Sequence, residues 1–194
     1  MARTGILMQI TPVDEYNNLF EIKDIASHDL MEKILSTPWL DLPWERQEGQ
    51  EHWRRRRILN DSIPWTNEWN THINAMWHKV SKAVGRKLAL SYGSTWWLDE
   101  PGFTCLMHTD GELSGAMQLI WIAADEQLGT CFYHNKNGTP VRKQFLSISN
   151  TGYIMLNFPK KNEYTHLHWH AMLHEVPPGT FRLSSYTLLA PLTQ

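Results

Sequence analysis

The sequence has few cysteines, no long apolar run and no excess of charge of either sign, and each lack excludes a class of protein. Cys105 and Cys131 are the only thiols in 194 residues, too few and too far apart for a disulfide scaffold or a thiolate zinc site. Both are expected to be small buried hydrophobes. No run of about twenty apolar residues occurs, and residues 1–16 lack the apolar core and small-residue cleavage site of a secretory leader. A cytoplasmic protein without a membrane partner is expected. Eighteen Lys and Arg against 20 Asp and Glu give a formal net charge of -2, so the composition carries no basic excess of the kind that holds nucleic acid. One local exception stands out, the four consecutive arginines Arg54, Arg55, Arg56 and Arg57 beside Trp53 and downstream of Trp39 and Trp44. Such a run can track phosphates and stack bases, but a solvated strand or loop with one or two salt bridges is the ordinary expectation. It is kept here as a substrate-facing feature.

What is present describes one domain, residues 1–194, long enough for a full hydrophobic core and short for two. There is no repeat, low-complexity tract or Ser/Gly linker. Ten tryptophans place several large rings in that core. The character of the chain changes near residue 86. Before it, Ser27 can cap a helix running to about Ser36, with Leu30 and Ile34 one turn apart. A second helix is capped by Thr66, buries Trp69, Ile73, Met76, Trp77, Val80 and Val84 along one face, and stops at Gly85.

After residue 86, short extended runs alternate with turn residues. About eight strands are expected, over 87–92, 95–98, 104–108, 116–124, 130–135, 141–145 and 153–157, and as a final pair flanking Pro177, Pro178 and Gly179. Asn137-Gly138 reads as a two-residue hairpin turn. The fold class is therefore mainly β with flanking helices, a double-stranded β-helix or jelly roll with an open mouth suited to a small ligand, its core about 87–190 and its helical N-terminal part about 1–86.

Two segments carry chemistry. His108-Thr109-Asp110 puts an imidazole and a carboxylate two residues apart at a strand end, so both can project to one side. Farther on, Pro178-Gly179 can form the centre of a tight turn. If its flanks pair as a hairpin, His174 comes to lie almost opposite Arg182. Two His and one carboxylate around open positions make the facial triad of non-haem iron(II) oxygenases. A fixed guanidinium at Arg182 suits the far carboxylate of an oxo-acid bound there, with Ser184 on the same face able to add a hydrogen bond. A rival for the distal position lies in His166, His168 and His170, which share one strand face. His170 is twelve residues before Arg182 and would leave the cross-hairpin position, so His174 is preferred. The tract is otherwise expected as surface or pocket histidines.

The order His108-Thr109-Asp110, His174, then Arg182-Leu183-Ser184 resembles the 2-oxoglutarate and iron(II)-dependent oxygenase superfamily, and its prolyl hydroxylase-like branch most closely. Gly129-Thr130-Cys131-Phe132 and Asn150-Thr151-Gly152-Tyr153 are similar to segments of that branch, and the likeness covers about residues 87–190. The resemblance implies iron(II) held by His108, Asp110 and His174, with 2-oxoglutarate as co-substrate on Arg182 and dioxygen as oxidant. It implies hydroxylation of a C–H bond coupled to decarboxylation of 2-oxoglutarate to succinate. A peptidyl or free amino-acid side chain, prolyl among them, is the favoured substrate. One departure is clear: the branch commonly carries a tyrosine about ten residues before the first His, where this chain has Leu98, with Trp97 adjacent and Tyr92 earlier. Alternation along 116–124 instead offers Gln118 to the near carboxylate of the oxo-acid. The rival readings are a nucleobase-oxidising member of the same superfamily, a cupin-like metal- or ligand-binding module without catalysis, and a scaffold whose histidines are merely packed. Sequence alone leaves the oligomeric state open.

Overall fold

The central strands of the larger sheet are buried on both faces, without a break over 115–121 and 152–156, so each offers one row to a helical layer and the other to the space between two sheets. The computed structural model describes residues 8–47, 55–60, 63–90, 94–110, 115–123, 125–157 and 168–191. Trp53, Arg54, Tyr92, Ala124, His166 and Leu167, all weighed in the sequence, lie outside the described residues.

In chain order the elements are β1 (Gln9–Pro12), β2 (Leu19–Lys23), α1 (His28–Ser36), β3 (Glu45–Arg46), β4 (Arg56–Asn60) and α2 (Thr66–Val84). The core follows as β5 (Leu88–Leu90), β6 (Thr95–Asp99), β7 (Cys105–His108), β8 (Gly115–Ile122), β9 (Cys131–Tyr133), β10 (Val141–Gln144), β11 (Thr151–Leu156), β12 (Trp169–Met172) and β13 (Arg182–Pro191). The larger sheet runs β1-β2-β11-β8-β13-β6-β4-β3, with β5 on the far stretch of β13, and the smaller runs β10-β9-β12-β7. All described pairings are antiparallel. This is the double-sheet jelly roll expected from the sequence.

Helix α1 forms on its expected cap and α2 stops where expected, but Thr66 is the first residue of α2 rather than its cap, and Trp65 in the cap position makes no side-chain cap hydrogen bond. The Ser27 hydroxyl accepts from the Leu30 amide at 3.3 Å, and α2 ends on Gly85 at φ 65°, a left-handed position that favours glycine. Their apolar faces cover one side of the larger sheet, where Trp69 of α2 sits 4.6 Å from Trp96 and 5.4 Å from Trp121 by ring centroid. The Trp121 indole donates to Ser185 Oγ at 2.9 Å, so this large ring is buried with its one polar atom satisfied. On β6 the neighbour of Trp96, Trp97, necessarily faces the other way, into the sandwich.

Two further expectations need correction. The segment before residue 86 is not only helical: β1 and β2 extend the larger sheet beyond β11, and β3 and β4 extend it beyond β6. All four are short, and the outer two, β1 and β3, are largely exposed and lack the apolar alternation that marks a central strand. The flanks of Pro178-Gly179 do not pair with each other either. The tight turn exists, with Gly179 at φ 75° and the Thr180 amide donating to the Pro177 carbonyl at 3.3 Å. But β12 belongs to the smaller sheet and β13 to the larger, so residues 173–181 cross between sheets.

Gly129 leads into β9 where the chain passes tightly against the start of the 145–147 stretch. A Cβ there would fall 1.6 Å from the Phe145 carbonyl oxygen, an overlap only backbone movement relieves. Gly129→Ala should therefore lower stability by about 3 kcal/mol or more, read as the urea midpoint. An unchanged midpoint would mean that the two segments do not approach as described.

Candidate active site

The sandwich-facing rows of β6, β8, β11 and β13 are polar where a core would be apolar. Asp99, Gln118, Tyr153, Arg182, Ser184 and Tyr186 all lie there, and every one except Tyr186 is buried. Together with residues of the smaller sheet, most of them line one cleft. A buried polar row is tolerated only when its members are paired or serve a ligand.

At one end stand His108, at the end of β7, Asp110, two residues beyond it, and His170 of β12. In the β7–β12 pairing His170 is the register partner of His108, and the two imidazole rings are 4.2 Å apart. One Asp110 oxygen, Oδ1, lies 3.3 Å from His108 Nε2 and 3.8 Å from His170 Nε2, and one ligand atom from each of the three residues falls within 4.8 Å of the others. The tautomers are fixed by carbonyls, which can only accept. His108 Nδ1 donates to the Leu106 carbonyl at 2.7 Å, and His170 Nδ1 donates to the His168 carbonyl at 2.8 Å. Both Nε2 atoms are thereby aimed at Asp110, the orientation that ligating imidazoles adopt. The Tyr186 hydroxyl donates to the other carboxylate oxygen, Oδ2, at 2.5 Å, which turns Oδ1 toward the imidazoles.

The electrostatics follow from this pairing. Burial opposes a charge on His108, yet the Asp110 hydrogen bond, helped by Cys105, pushes the imidazole up to about 10. Burial likewise opposes a charged Asp110, but its contacts with His108, His170 and Tyr186 bring the carboxyl down to about 2. His170 is held neutral by burial. A divalent cation entering here replaces the His108 proton as partner of the carboxylate. Two neutral imidazole nitrogens and one carboxylate oxygen fit a borderline first-row metal such as iron(II).

His174, the distal residue preferred from sequence, is exposed on the crossing between the sheets and is no part of this cluster. The displacement follows from the absent hairpin: without pairing across Pro178-Gly179, nothing carries His174 toward Arg182 or into the sandwich. His170 takes the position because its strand pairs with the one that ends in His108.

Farther along the cleft, Arg182, Ser184 and Tyr186 share the inward face of β13. Gln118 Nε2 donates to Ser184 Oγ at 3.2 Å, and the Tyr153 hydroxyl donates to Gln118 Oε1 at 2.6 Å. Arg182 donates through Nε and Nη2 to Asp99 Oδ2 at 2.9 and 2.6 Å, and through Nη1 to the Leu128 carbonyl at 2.6 Å. The arginine run resolves by alternation on β4. Arg55 is exposed, Arg57 is half-exposed and pairs with Glu100, and Arg56 is buried against Asp99 in the cleft wall. Arg56, Asp99, Tyr153 and Tyr186 were not assigned from sequence. Only the inward parity of strands β4, β6, β11 and β13 would have pointed to them.

No sequence-family model and no curated protein matches the chain. Solved structures do. A prolyl hydroxylase from Trichoplax adhaerens, determined with a hypoxia inducible factor peptide, superimposes with a TM-score of 0.67 at 10% identity over 93% of this chain and 87% of that one. Viral collagen prolyl hydroxylase from Paramecium Bursaria Chlorella virus-1 gives 0.60 at 11% identity over 90% and 97%, and HygX from Streptomyces hygroscopicus, bound to nickel, 2-oxoglutarate and hygromycin B, gives 0.62 at 11% over 90% and 83%. The fold is that of the 2-oxoglutarate and iron(II)-dependent oxygenases. No helix among the described residues is long and apolar enough to cross a membrane.

In this oxygenase fold the ligand strand β12 is tied to the N-terminal segment by a buried chain of contacts. His168 is fully buried; its Nδ1 accepts from Arg142 Nη1 at 2.9 Å and its Nε2 donates to the Leu156 carbonyl at 3.3 Å. Arg142 in turn holds Asp14 at 2.5 and 2.9 Å and Asn18 at 2.6 Å. The sequence expectation of surface or pocket histidines fails for His168, which is a packed partner of an arginine. Burial, reinforced by the Arg142 charge, pushes the His168 imidazole down to about 3. The unfolded imidazole takes a proton near pH 6.5 and the folded one does not, so this contribution is complete above that pH and is lost as pH falls toward 3. In metal-free protein the stability advantage of wild type over His168→Gln should therefore shrink by about 2 kcal/mol between pH 7.5 and pH 5. Urea titrations at both pH values check this, and a constant gap would mean that His168 is accessible to protons in the folded state.

Proposed function

We propose that the protein is an iron(II)- and 2-oxoglutarate-dependent dioxygenase that hydroxylates a C–H bond of a peptidyl or free amino-acid side chain. The observation that carries this is the cluster of His108, Asp110 and His170 in the same cleft as the buried guanidinium of Arg182. A metal at the first and a dicarboxylic oxo-acid reaching the second would both lie in this cleft. His108, Asp110 and His170 would hold the iron. Arg182, with Ser184 and Gln118, would receive 2-oxoglutarate. When bound, iron and oxo-acid supply the oxidation, with one oxygen atom passing to succinate and the other to substrate.

The chain's own part is orientation and exclusion of water. The Leu106 and His168 carbonyls set the two imidazoles, Tyr186 sets Asp110, and Tyr153 sets Gln118. Trp97 lies stacked on Tyr186, ring centroids 4.2 Å apart and planes at 17°, and closes the cleft beside the carboxylate. A side-chain substrate is supported by the fold shared with two prolyl hydroxylases and by a net charge too small to favour nucleic acid.

Anaerobic addition of iron(II) and then 2-oxoglutarate to metal-free protein should produce the visible charge-transfer band of a chelated oxo-acid. The band should be lost in Arg182→Ala, which should still bind iron. If iron binds to wild type and no band forms, the oxygenase reading falls and a metal-binding module takes its place.

A further inference from the structure

The arginine that the sequence left unexplained lies beside the anion end of the cleft, and its placement is a matter of register. Arg56 on β4 is the cross-strand partner of Asp99 on β6, and Asp99 is the cross-strand partner of Arg182 on β13. Three adjacent strands thus put a cation, an anion and a cation side by side on the inward face. Relative exposures are 3%, 0% and 2%. Arg56 donates through Nε to Asp99 Oδ1 at 2.6 Å and through Nη2 to Oδ2 at 3.2 Å, while Arg182 takes Oδ2 from the other side. The Arg56 guanidinium carbon lies 3.9 Å from the Trp97 ring centroid and 4.3 Å from that of Phe103, contacts that fix its plane.

Charge decides what this row does. Asp99 alone would neutralise Arg182 and leave a poor receptor for an anion. With Arg56 on the same carboxylate, Arg56, Asp99 and Arg182 together carry one net positive charge, in a buried place where a ligand anion is strongly attracted. Both arginines line the cleft, so that anion is a carboxylate of the ligand.

We propose that Arg56 is a positioning residue for the co-substrate: by sharing Asp99 it leaves the row around the Arg182 anchor with a net positive charge and selects an oxo-acid with a second carboxylate. The proposal rests on the oxygenase reading and adds to it a residue from outside the jelly-roll core. Charges of the groups named in the cleft agree with it. Arg56 and Arg182 balance Asp99 and Asp110, and a divalent metal then leaves two positive charges for a dianion.

The test compares 2-oxoglutarate with 2-oxobutyrate, which has the same keto-acid head and no second carboxylate, in iron(II)-loaded protein under anaerobic conditions. Arg56→Gln should weaken 2-oxoglutarate about ten-fold or more and change 2-oxobutyrate by less than about two-fold. Arg56→Lys, which restores the charge, should recover most of the loss. Equal weakening of both acids, or of neither, overturns the proposal, because a merely structural arginine does not tell them apart. If wild type forms no band with either acid, the oxygenase reading fails by itself. The anchor is then judged in a thermal melt of metal-free protein, where 2-oxoglutarate should stabilise wild type and not Arg56→Gln, and no stabilisation of wild type overturns the anchor too.

Discussion

His170→Ala is expected to weaken iron(II) binding by more than about 100-fold, and His174→Ala to leave it within about two-fold. The two histidines are four residues apart in sequence and in different settings. His170 is buried and faces His108 across a strand pair, with its Nδ1 proton tied to a carbonyl and its Nε2 turned to Asp110. Removing it takes one of three donors from a site that has no fourth among the described His, Cys, Asp and Glu. His174 lies exposed on the crossing from one sheet to the other. Anaerobic titration with iron(II), or with nickel(II) as a redox-stable stand-in, reads both variants. Unimpaired binding by His170→Ala would remove the cluster from consideration as a metal centre, and a loss in His174→Ala would mean that residues 173–181 fold inward.

The contrast between these two residues shows where sequence reasoning ran out. Helix α1 and helix α2 were legible to within about a residue because their signals are local: a Ser27 cap, a five-turn apolar stripe and a Gly85 stop. Most core strands were legible from alternation, and the sandwich followed from their number. His108 and Asp110 could be placed together from their strand-end position, and Ser184 and Gln118 from parity, while Arg182 was reached through a hairpin that does not form and faces inward as part of β13. The distal ligand depended on which sheet β12 joins, a non-local fact that the Pro178-Gly179 turn does not encode. A turn bends the chain whether its flanks pair with each other or pass to different sheets. Arg56 and Asp99 were illegible for the same reason, since their meaning comes from the order β13-β6-β4. Among Arg55, Arg56 and Arg57, parity buries Arg56 and leaves its neighbours exposed or half-exposed, and only the pairing of β4 with β6 says which of them turns inward.

That buried row also carries the second large effect. Asp99→Ala should destabilise the protein by about 3–5 kcal/mol, far more than loss of an exposed ion pair. Asp99 is wholly buried, and the paired guanidinia, with their hydrogen bonds, hold its carboxyl below the usual range against the cost of burial. Its removal strands two cations in the sandwich with no anion between them. The penalty belongs to the stranded charges rather than to the lost hydrogen bonds, and a double variant separates the two. If Arg56 is replaced by Met in the same chain, one stranded cation disappears, its aliphatic replacement packs on Trp97 and Phe103, and the Asp99→Ala penalty should fall by about 2 kcal/mol. Urea unfolding of the four proteins in that cycle is the measurement. Additive effects would mean that Arg56 and Asp99 do not share a buried charge, and the charge argument for the anion anchor would go with it. A coupled result would explain why a fold that could fill this space with apolar side chains keeps three ionised ones. The row costs stability in the empty cleft, and a dicarboxylic ligand that answers its net charge would return part of that cost as binding.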